Sequence, residues 1–394
     1  MDANATTPLS LEAFEAMRPH MLEAFGNASS IHYHGRQARG AVERARSSVA
    51  TLLGCQAAEV VFTSGGTEGD NHALFGMVRP GDHLITSSIE HHAVLHGAER
   101  LRERGIEVTF LPVGGDCVVD PADVRGALRP NTKLISIMMA NNETGTIQPL
   151  EEIGRIAAEA DVYFHTDAVQ AAGKIAIDVE KIGCDLLTIA GHKMYGPQGI
   201  GALYVRRGTE IEPLFFGGAH ERQRRAGTEN VAGIVGLGKA AELALNSAVD
   251  LSGAPFNPTF GLSGIAALRD RLEDGILQCV ENSGVNGGNA PRVPNTTNLW
   301  FDNVDGESLF IALDLHGLAV SGGSACASGA AEPSHVLTAM GLSMERARAS
   351  LRFSLTRYST AEDVDCALEM VATAASRLRE ISPGRVKREP SIVT

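Results

Sequence analysis

No apolar run in this chain approaches the roughly 18 residues that a membrane-spanning helix needs. Met1–Pro8 has neither a basic start nor an apolar stretch. The first lack predicts no membrane span. The second predicts no secretion signal, so the cytoplasm is the default expectation. Clustered cysteine is missing too. Cys55, Cys117, Cys184, Cys279, Cys326 and Cys366 stand far apart, which argues against a CxxC metal or redox site and against a dense disulfide framework. Buried apolar filler is the expectation for most of them. Positive charge is also short. The chain sums to −13, whereas nucleic acid as a main partner calls for a basic footprint. Internal repeats and low-complexity tracts are absent.

What remains is an ordinary soluble composition, 44% hydrophobic and 21% charged over 394 residues. That is too long for one small core, and two or three domains are expected. Short apolar runs alternate with helical patterns. Glu59–Thr63, Asp82–Ser87, Glu107–Leu111, Lys133–Met139, Val162–Thr166, Asp185–Ala190 and Gly201–Val205 read as strands. Pro121–Leu128 and Leu150–Glu159 read as helices between them. This alternation predicts an α/β fold with a parallel sheet covered on both faces. Ligands bind beyond the carboxyl ends of such strands. The pattern changes after residue 246. Asp250–Gly264 reads as a linker rich in Gly, Pro, Ser and Asn. A helix at Ile265–Cys279, the stretch Thr296–Phe301, a helix near Glu307–His316 and the stretch Leu351–Tyr358 predict a smaller α+β domain. The expected boundaries are 13–250 for the large domain, 251–261 for the linker, and 1–12 with 262–394 for the small one. The polar tail after Ser382 is expected to fray.

Chemistry-bearing residues cluster just after the predicted strands. Ala190-Gly191-His192-Lys193 puts a lysine at a strand end. Partial desolvation would lower its pKa and make it a nucleophilic amine, suited to a Schiff base. Asp167 closes the preceding strand, with Gln170 three residues on. A carboxylate there can hold a protonated pyridine nitrogen, although an Asp at such a place also serves as a helix N-cap. Thr63-Ser64-Gly65-Gly66-Thr67-Glu68 lies at a strand-to-helix junction and can form a phosphate cup. Gly233–Ala240 fits a rival GxxxxGK pattern, but Ala240 replaces the magnesium-binding hydroxyl. It reads as a helix whose glycines permit close packing.

His92 and His96 have the spacing of a helical zinc pair without an apparent third ligand. His91 can instead stack on a planar cofactor and move protons. Asn141-Asn142-Glu143-Thr144-Gly145 offers paired amides or a plain turn. Arg224–Asn230 offers a phosphate clamp or a solvated basic turn. Ser321–Gly329 is nearly all small residues around one reactive side chain, Cys326, and such a loop is expected to be mobile. Arg352 lies within an apolar stretch and wants a carboxylate, from the protein or from a substrate.

Taken in order, these motifs resemble the cysteine desulfurases of the nitrogen-fixation and iron–sulfur-cluster types. These are class V aminotransferase-like, fold-type I pyridoxal-phosphate enzymes. The resemblance runs from Asp2-Ala3-Asn4-Ala5-Thr6-Thr7-Pro8 to about Ser359 and includes Ser64–Asn71, Asn141–Gly145, His165–Gln170, Gly191–Gly196, Arg224–Asn230, Ser324–Ser334 and Arg352–Tyr358. It implies a large domain with a mostly parallel seven-stranded sheet, a smaller α+β domain, and a homodimer. Lys193 would form the internal aldimine. Asp167 would pair with the pyridine nitrogen, and Gln170 with the phenolic oxygen. His91 would stack on the ring and transfer protons. Gly66, Thr67 and His192 would bind the phosphate, with Thr228 supplied by the other subunit. Gly191 and Asn142 would complete the cofactor site. Asn142 and Arg352 would hold the substrate carboxylate.

Cys326 would take the sulfur of L-cysteine as a persulfide, leaving L-alanine. It would pass the sulfur to an acceptor such as an iron–sulfur scaffold protein. No resident metal is implied; Cys326 would meet an iron–sulfur cluster only on transfer. Ala327 stands where the family often has threonine, with little expected effect. The short C-terminal tail leaves the scaffold partner open. Selenocysteine lyase or cystine-type C–S lyase on the same fold is the alternative activity, and a non-catalytic binding protein is the rival from another class.

Overall fold

The computed structural model describes residues 1–249, 262–322 and 333–381. The expected linker, the loop holding Cys326 and the tail after Ser382 lie outside the described residues.

Seven strands form the larger sheet: β1 (Val60–Thr63), β2 (His83–Ser87), β3 (Glu107–Leu111), β4 (Thr132–Ser136), β5 (Tyr163–Asp167), β6 (Leu186–Ala190) and β7 (Gly201–Val205). Their order is β1-β7-β6-β5-β4-β2-β3. Only β7 runs against its neighbours. The sequence placed these strands to within a residue or so, except at Lys133–Met139. There β4 ends at Ser136, yet Ile137 and Met139 go on donating to the carbonyls of His165 and Asp167, at 3.1 and 2.8 Å. The apolar run is therefore buried past the regular strand and leads the chain toward the sheet's carboxyl edge.

Parallel strands need apolar residues on both faces, because helices cover both. One face buries Phe62, Ile85, Ile135, Phe164, Leu187 and Tyr204 with the helices Tyr33–Leu53, Leu150–Glu159 and Val231–Val249. The other buries Val61, Leu84, Leu134, Leu186 and Leu203 with the helices Gly66–Met77 and His92–Glu103. The rival GxxxxGK segment lies inside the helix Val231–Val249. A Cβ on Gly238 would stand 2.6 Å from Ala45, and one on Gly236 would stand 2.5 Å from Met17 Sδ. Close helix packing is what these glycines permit.

The second sheet is antiparallel, with β8 (Ser283–Val285), β9 (Thr296–Phe301), β10 (Ser321–Gly322) and β11 (Ser350–Ser354) in the order β10-β11-β9-β8. The helices Leu262–Cys279, Gly306–Leu315 and Ala361–Ile381 cover it over a core of Leu272, Phe301, Leu309, Phe353 and Val371.

The first ten residues are held by both parts of the chain. Asp2 pairs with Ser354 of β11, and Ala3 N–H donates to Ser354 O at 3.0 Å. Thr7 and Ser10 donate to His192 O and Tyr195 O at 2.9 and 3.0 Å. No helix among the described residues is long and apolar enough to cross a membrane.

Candidate active site

The carboxyl ends of β1, β5 and β6 meet at one edge, since Thr63 and Ala190 both lie opposite Gly201 and Asp167 pairs with Thr188. Each strand delivers one group. After β1 comes the helix Gly66–Met77, whose cap residue Gly65 has no side chain to close the N-terminus. Thr67 is exposed there. An open helix N-terminus with a hydroxyl beside it suits a phosphate. A Cβ on Gly66 would stand 2.7 Å from Val169 Cγ2, so this helix end approaches the turn after β5 too closely for a side chain.

β5 ends on Asp167, which is 5% exposed. Val169 N–H donates to its Oδ1 at 2.8 Å. Burial raises its pKa to about 6, against the opposing pull of the Val169 N–H and of the Lys193 charge. A carboxyl in that condition ionises fully once a cation pairs with it. Asp167 therefore acts as an acceptor for a buried cation as well as a local cap.

β6 is followed by Gly191–Lys193 as a short 3-10 turn. Lys193 Nζ donates to Asn4 O at 2.6 Å and to Ala5 O at 2.7 Å. His192 lies beside Thr6, Nδ1 to Oγ1 3.2 Å, and burial followed by the Lys193 charge lowers its pKa to about 4. His91 caps the helix His92–Glu103 by accepting from Ala93 N–H at 3.1 Å. Its ring still reaches solvent, yet protein crowds it on the other sides. That desolvation, then the positive charge of Lys193, lowers its pKa to about 4. It is a neutral base at physiological pH.

Arg352 lies on β11 opposite Ser321 of β10. Its guanidinium donates to Asp2 Oδ1 at 2.6 Å and to Asn142 O at 2.9 Å. The carboxylate that the sequence led one to expect is thus Asp2, and a substrate carboxylate would have to share the guanidinium with it. Asn141 is structural. Its Nδ2 donates to Ile89 O, and its Oδ1 takes the N–H groups of Glu143 and Thr144.

The basic turn also divides. Arg225 grips Glu68 at 2.9 and 3.2 Å, so it is already spent on a carboxylate. Thr228 is exposed. His92 and His96 stack at 4.9 Å, with His335 4.9 Å from His92. Sequence spacing could not show this third ring; even so, no group among the described residues is arranged to hold a metal ion.

Cys326 lies outside the described residues. The chain on either side of that segment is anchored at the site, by Ser321 across from Arg352 and by Ser334 Oγ donating to Glu143 Oε2 at 2.5 Å. Three of the other cysteines are poor nucleophiles. Burial pushes the thiols of Cys55 and Cys117 up to about 12 and raises that of Cys184 as well. Cys279 and Cys366 are exposed, contrary to the filler expectation.

Sequence reasoning missed two residues that the site is built around. Asn4 accepts from Lys174 and Asn295 at Oδ1, donates to Asn142 O and Thr296 Oγ1, and offers its carbonyl to Lys193 and Gln170. Lys174 is its buried partner. The only available signal was that Asn4 lies in the quoted N-terminal motif.

The donor set fits pyridoxal phosphate. It offers an amine for the aldehyde, a buried acid for the ring nitrogen, an amide for the phenolic oxygen and an uncapped helix for the phosphate. Comparisons with known proteins agree. The Aminotransferase class-V profile matches residues 1–366. The chain is 51% identical to the cysteine desulfurase IscS of Methanosarcina thermophila, over 97% of this chain and 93% of that one. A solved NifS-like protein superposes with a TM-score of 0.85 at 35% identity, over 96% of this chain and 99% of that one. Another, SspA in complex with cysteine, gives 0.79 at 37% identity, over 91% and 99%. With the fold, the strand-end lysine and these relatives in agreement, the chain belongs to the class-V aminotransferase family, as a pyridoxal-phosphate-dependent cysteine desulfurase.

Proposed function

We propose that Lys193, Asp167 and Cys326 carry desulfuration of L-cysteine in this chain, with L-alanine as the other product. The observation that carries this reading is the placement of Lys193 and Asp167 at adjacent strand ends, close enough for the Lys193 charge to act on the buried acid. When bound, pyridoxal phosphate supplies an electron sink conjugated to the substrate. Lys193 would anchor it. Asp167 holds the ring nitrogen protonated, and Gln170 donates to the phenolic oxygen. Gly66, Thr67 and His192 hold the phosphate, with Gly191 shaping the turn that carries His192.

His91, neutral near physiological pH, would stack on the ring and accept a proton. Arg352 and Asn142 orient the substrate carboxylate. Cys326 takes the sulfur: one S–S bond forms as the substrate C–S bond breaks, and a proton replaces sulfur on the alanine methyl. The outer sulfur of the persulfide then passes to a nucleophile of an acceptor such as an iron–sulfur scaffold protein, and Cys326 is returned as a thiolate.

A homodimer completes the site. Leu11, Leu22, Phe25, Ile31, Tyr33 and Phe216 are 62–90% exposed. Apolar side chains left open in this number mark a protein interface. A second copy covering them would bring Thr228 to its partner's phosphate.

The test is mass spectrometry of the wild type after brief exposure to cysteine. One added sulfur, removable by a reductant, is expected on the Cys326 peptide. Cys326→Ser is expected to bind cofactor and cysteine but to release no alanine at an appreciable rate, because a protonated hydroxyl is a poor attacker of sulfur. Sulfur on Cys55 or Cys184 instead would overturn the reading.

A further inference from the structure

Lys174 lies four residues after Gln170, in the turn that follows β5. It is 8% exposed, and lysine is rarely that buried without a carboxylate to meet it. Its Nζ instead donates to two neutral amide oxygens, Gln170 Oε1 at 2.7 Å and Asn4 Oδ1 at 2.9 Å. The charged groups that act on it are Lys193 and Arg352, both cations. Burial first, then those two charges, push its pKa well below the usual 10.5. Charged or neutral, its nitrogen carries at least two hydrogens, enough for both acceptors. Lys174 and Lys193 also line one small cavity of about 30 Å³.

The consequence falls on Gln170. An amide side chain can be turned end for end unless its neighbours decide the matter. Here both neighbours decide it alike. As an ammonium Lys174 presents only hydrogens to Oε1, and as a neutral amine it has two, one for each acceptor. In either form the carbonyl of Asn4 presents only lone pairs to Nε2, 3.0 Å away. Turning the amide would set oxygen against oxygen at Asn4 and, at an ammonium, donor against donor. In the observed orientation Nε2 gives one hydrogen to Asn4 O and keeps a second.

We propose that Lys174 is a positioning residue that locks the Gln170 amide so that its N–H, rather than its oxygen, meets the cofactor's phenolic oxygen. This rests on the reading of Gln170 as the group facing that oxygen. A hydrogen-bond donor there withdraws electron density from the ring system and weakens the conjugated nitrogen as a base. Losing the donor raises the pH at which the cofactor's visible absorption band titrates.

The experiment is a double-mutant cycle on the holoenzyme, read by that spectroscopic midpoint and by thermal stability. Lys174→Met and Gln170→Ala are each expected to raise the midpoint by about one unit, a tenfold change in proton affinity. The double variant is expected to shift it no further than Gln170→Ala alone, because Lys174 acts through Gln170. An unmoved midpoint in Lys174→Met, or one that moves equally with and without Gln170, overturns the proposal. An unmoved midpoint in Gln170→Ala shows instead that Gln170 does not face the phenolic oxygen. If Lys174→Met does not fold, Lys174→Arg takes its place. It presents only hydrogens, as the lysine ammonium does, and is expected to hold the wild-type midpoint; a shift as large as that of Gln170→Ala would overturn the proposal.

Discussion

Asp70, Glu90 and Asp167 are at most 5% exposed, and burial sets all three apart from surface acids. Burial, then the neighbouring Asp167 charge, raises the pKa of Asp70 well above its ordinary value. Asp167 is the one that the cofactor ring can rescue by pairing. Asp167→Asn is expected to keep cofactor while losing roughly 10²–10³ in turnover, the scale of a lost preorganised charge contact. Steady-state kinetics on the reconstituted variant check this, and wild-type rates would refute it.

Glu90 has no such partner in view. Burial raises its pKa to about 8, although Ser87 Oγ and Met138 N–H both donate to its Oε1. Its Oε2 is buried and has no hydrogen-bond partner among the described residues. Its folded pKa lies above its unfolded one. Its contribution to stability is therefore fully present below pH 4.5 and lost as pH rises through about 8. Glu90→Gln removes that dependence. It is expected to melt higher than the wild type at pH 8, by about 1–3 kcal/mol, the scale of a relieved buried polar group. The gap should narrow at pH 5, and a gap constant with pH would show that Glu90 is charged in the folded protein. At this scale the sequence revealed groups whose strand-end position implies a role, such as Lys193 and Asp167. Glu90 and Lys174 could not be read, because only the fold shows that their surroundings are dry.

The strands were legible because parallel strands must be apolar on both faces, and the runs at 84–85, 134–135 and, but for Thr188, 186–190 are. The turn at 220–223 was not legible. Glu221, Arg222 and Gln223 all adopt positive φ, of 44°, 58° and 67°, with no glycine among them. Such strain persists only where the surroundings over-determine it. Here the determinant is Arg46. Its guanidinium meets both Glu221 oxygens at 2.7 Å with each side chain 4% exposed, and lies 4.6 Å from the centre of the Phe62 ring. Phe62 N–H donates to the same carboxylate at 3.0 Å. A bond across 175 residues leaves no local trace in a sequence. Glu221→Ala leaves the buried Arg46 guanidinium with only the half-exposed Glu43 carboxylate, 3.2 Å from Nε, and is expected to cost up to about 3–5 kcal/mol in chemical denaturation. Pairing it with Arg46→Met should recover most of that loss. A double variant as unstable as the single would show that the turn, rather than the ion pair, sets the cost.

The second, antiparallel sheet was legible as a change of pattern after residue 246, and the larger sheet as seven runs. The exposed apolar side chains at 11–33 were not, since an amphipathic stretch reads the same whether its apolar face meets a core or a second copy. On the proposed dimer, Phe25→Asp, at a side chain 75% exposed, is expected to give a monomer in light scattering and to weaken cofactor binding about tenfold, since the proposed partner hydroxyl of Thr228 would be removed. A dimeric variant would move the interface elsewhere. The N-terminal segment was legible as a motif, though not as a strut. Asp2 and Asn4 close their contacts on Ser354, 350 residues later, and that distance has a meaning in time. A ribosome adds residues at about 5–20 per second, so the first residues made wait roughly 20–70 s for the strand that receives them. Lys193 is itself made 161 residues before Ser354, so for roughly the last 8–32 s of that interval it exists without the N-terminal segment braced on that strand. Competence for the cofactor therefore arrives near the end of synthesis, however early the large sheet closes.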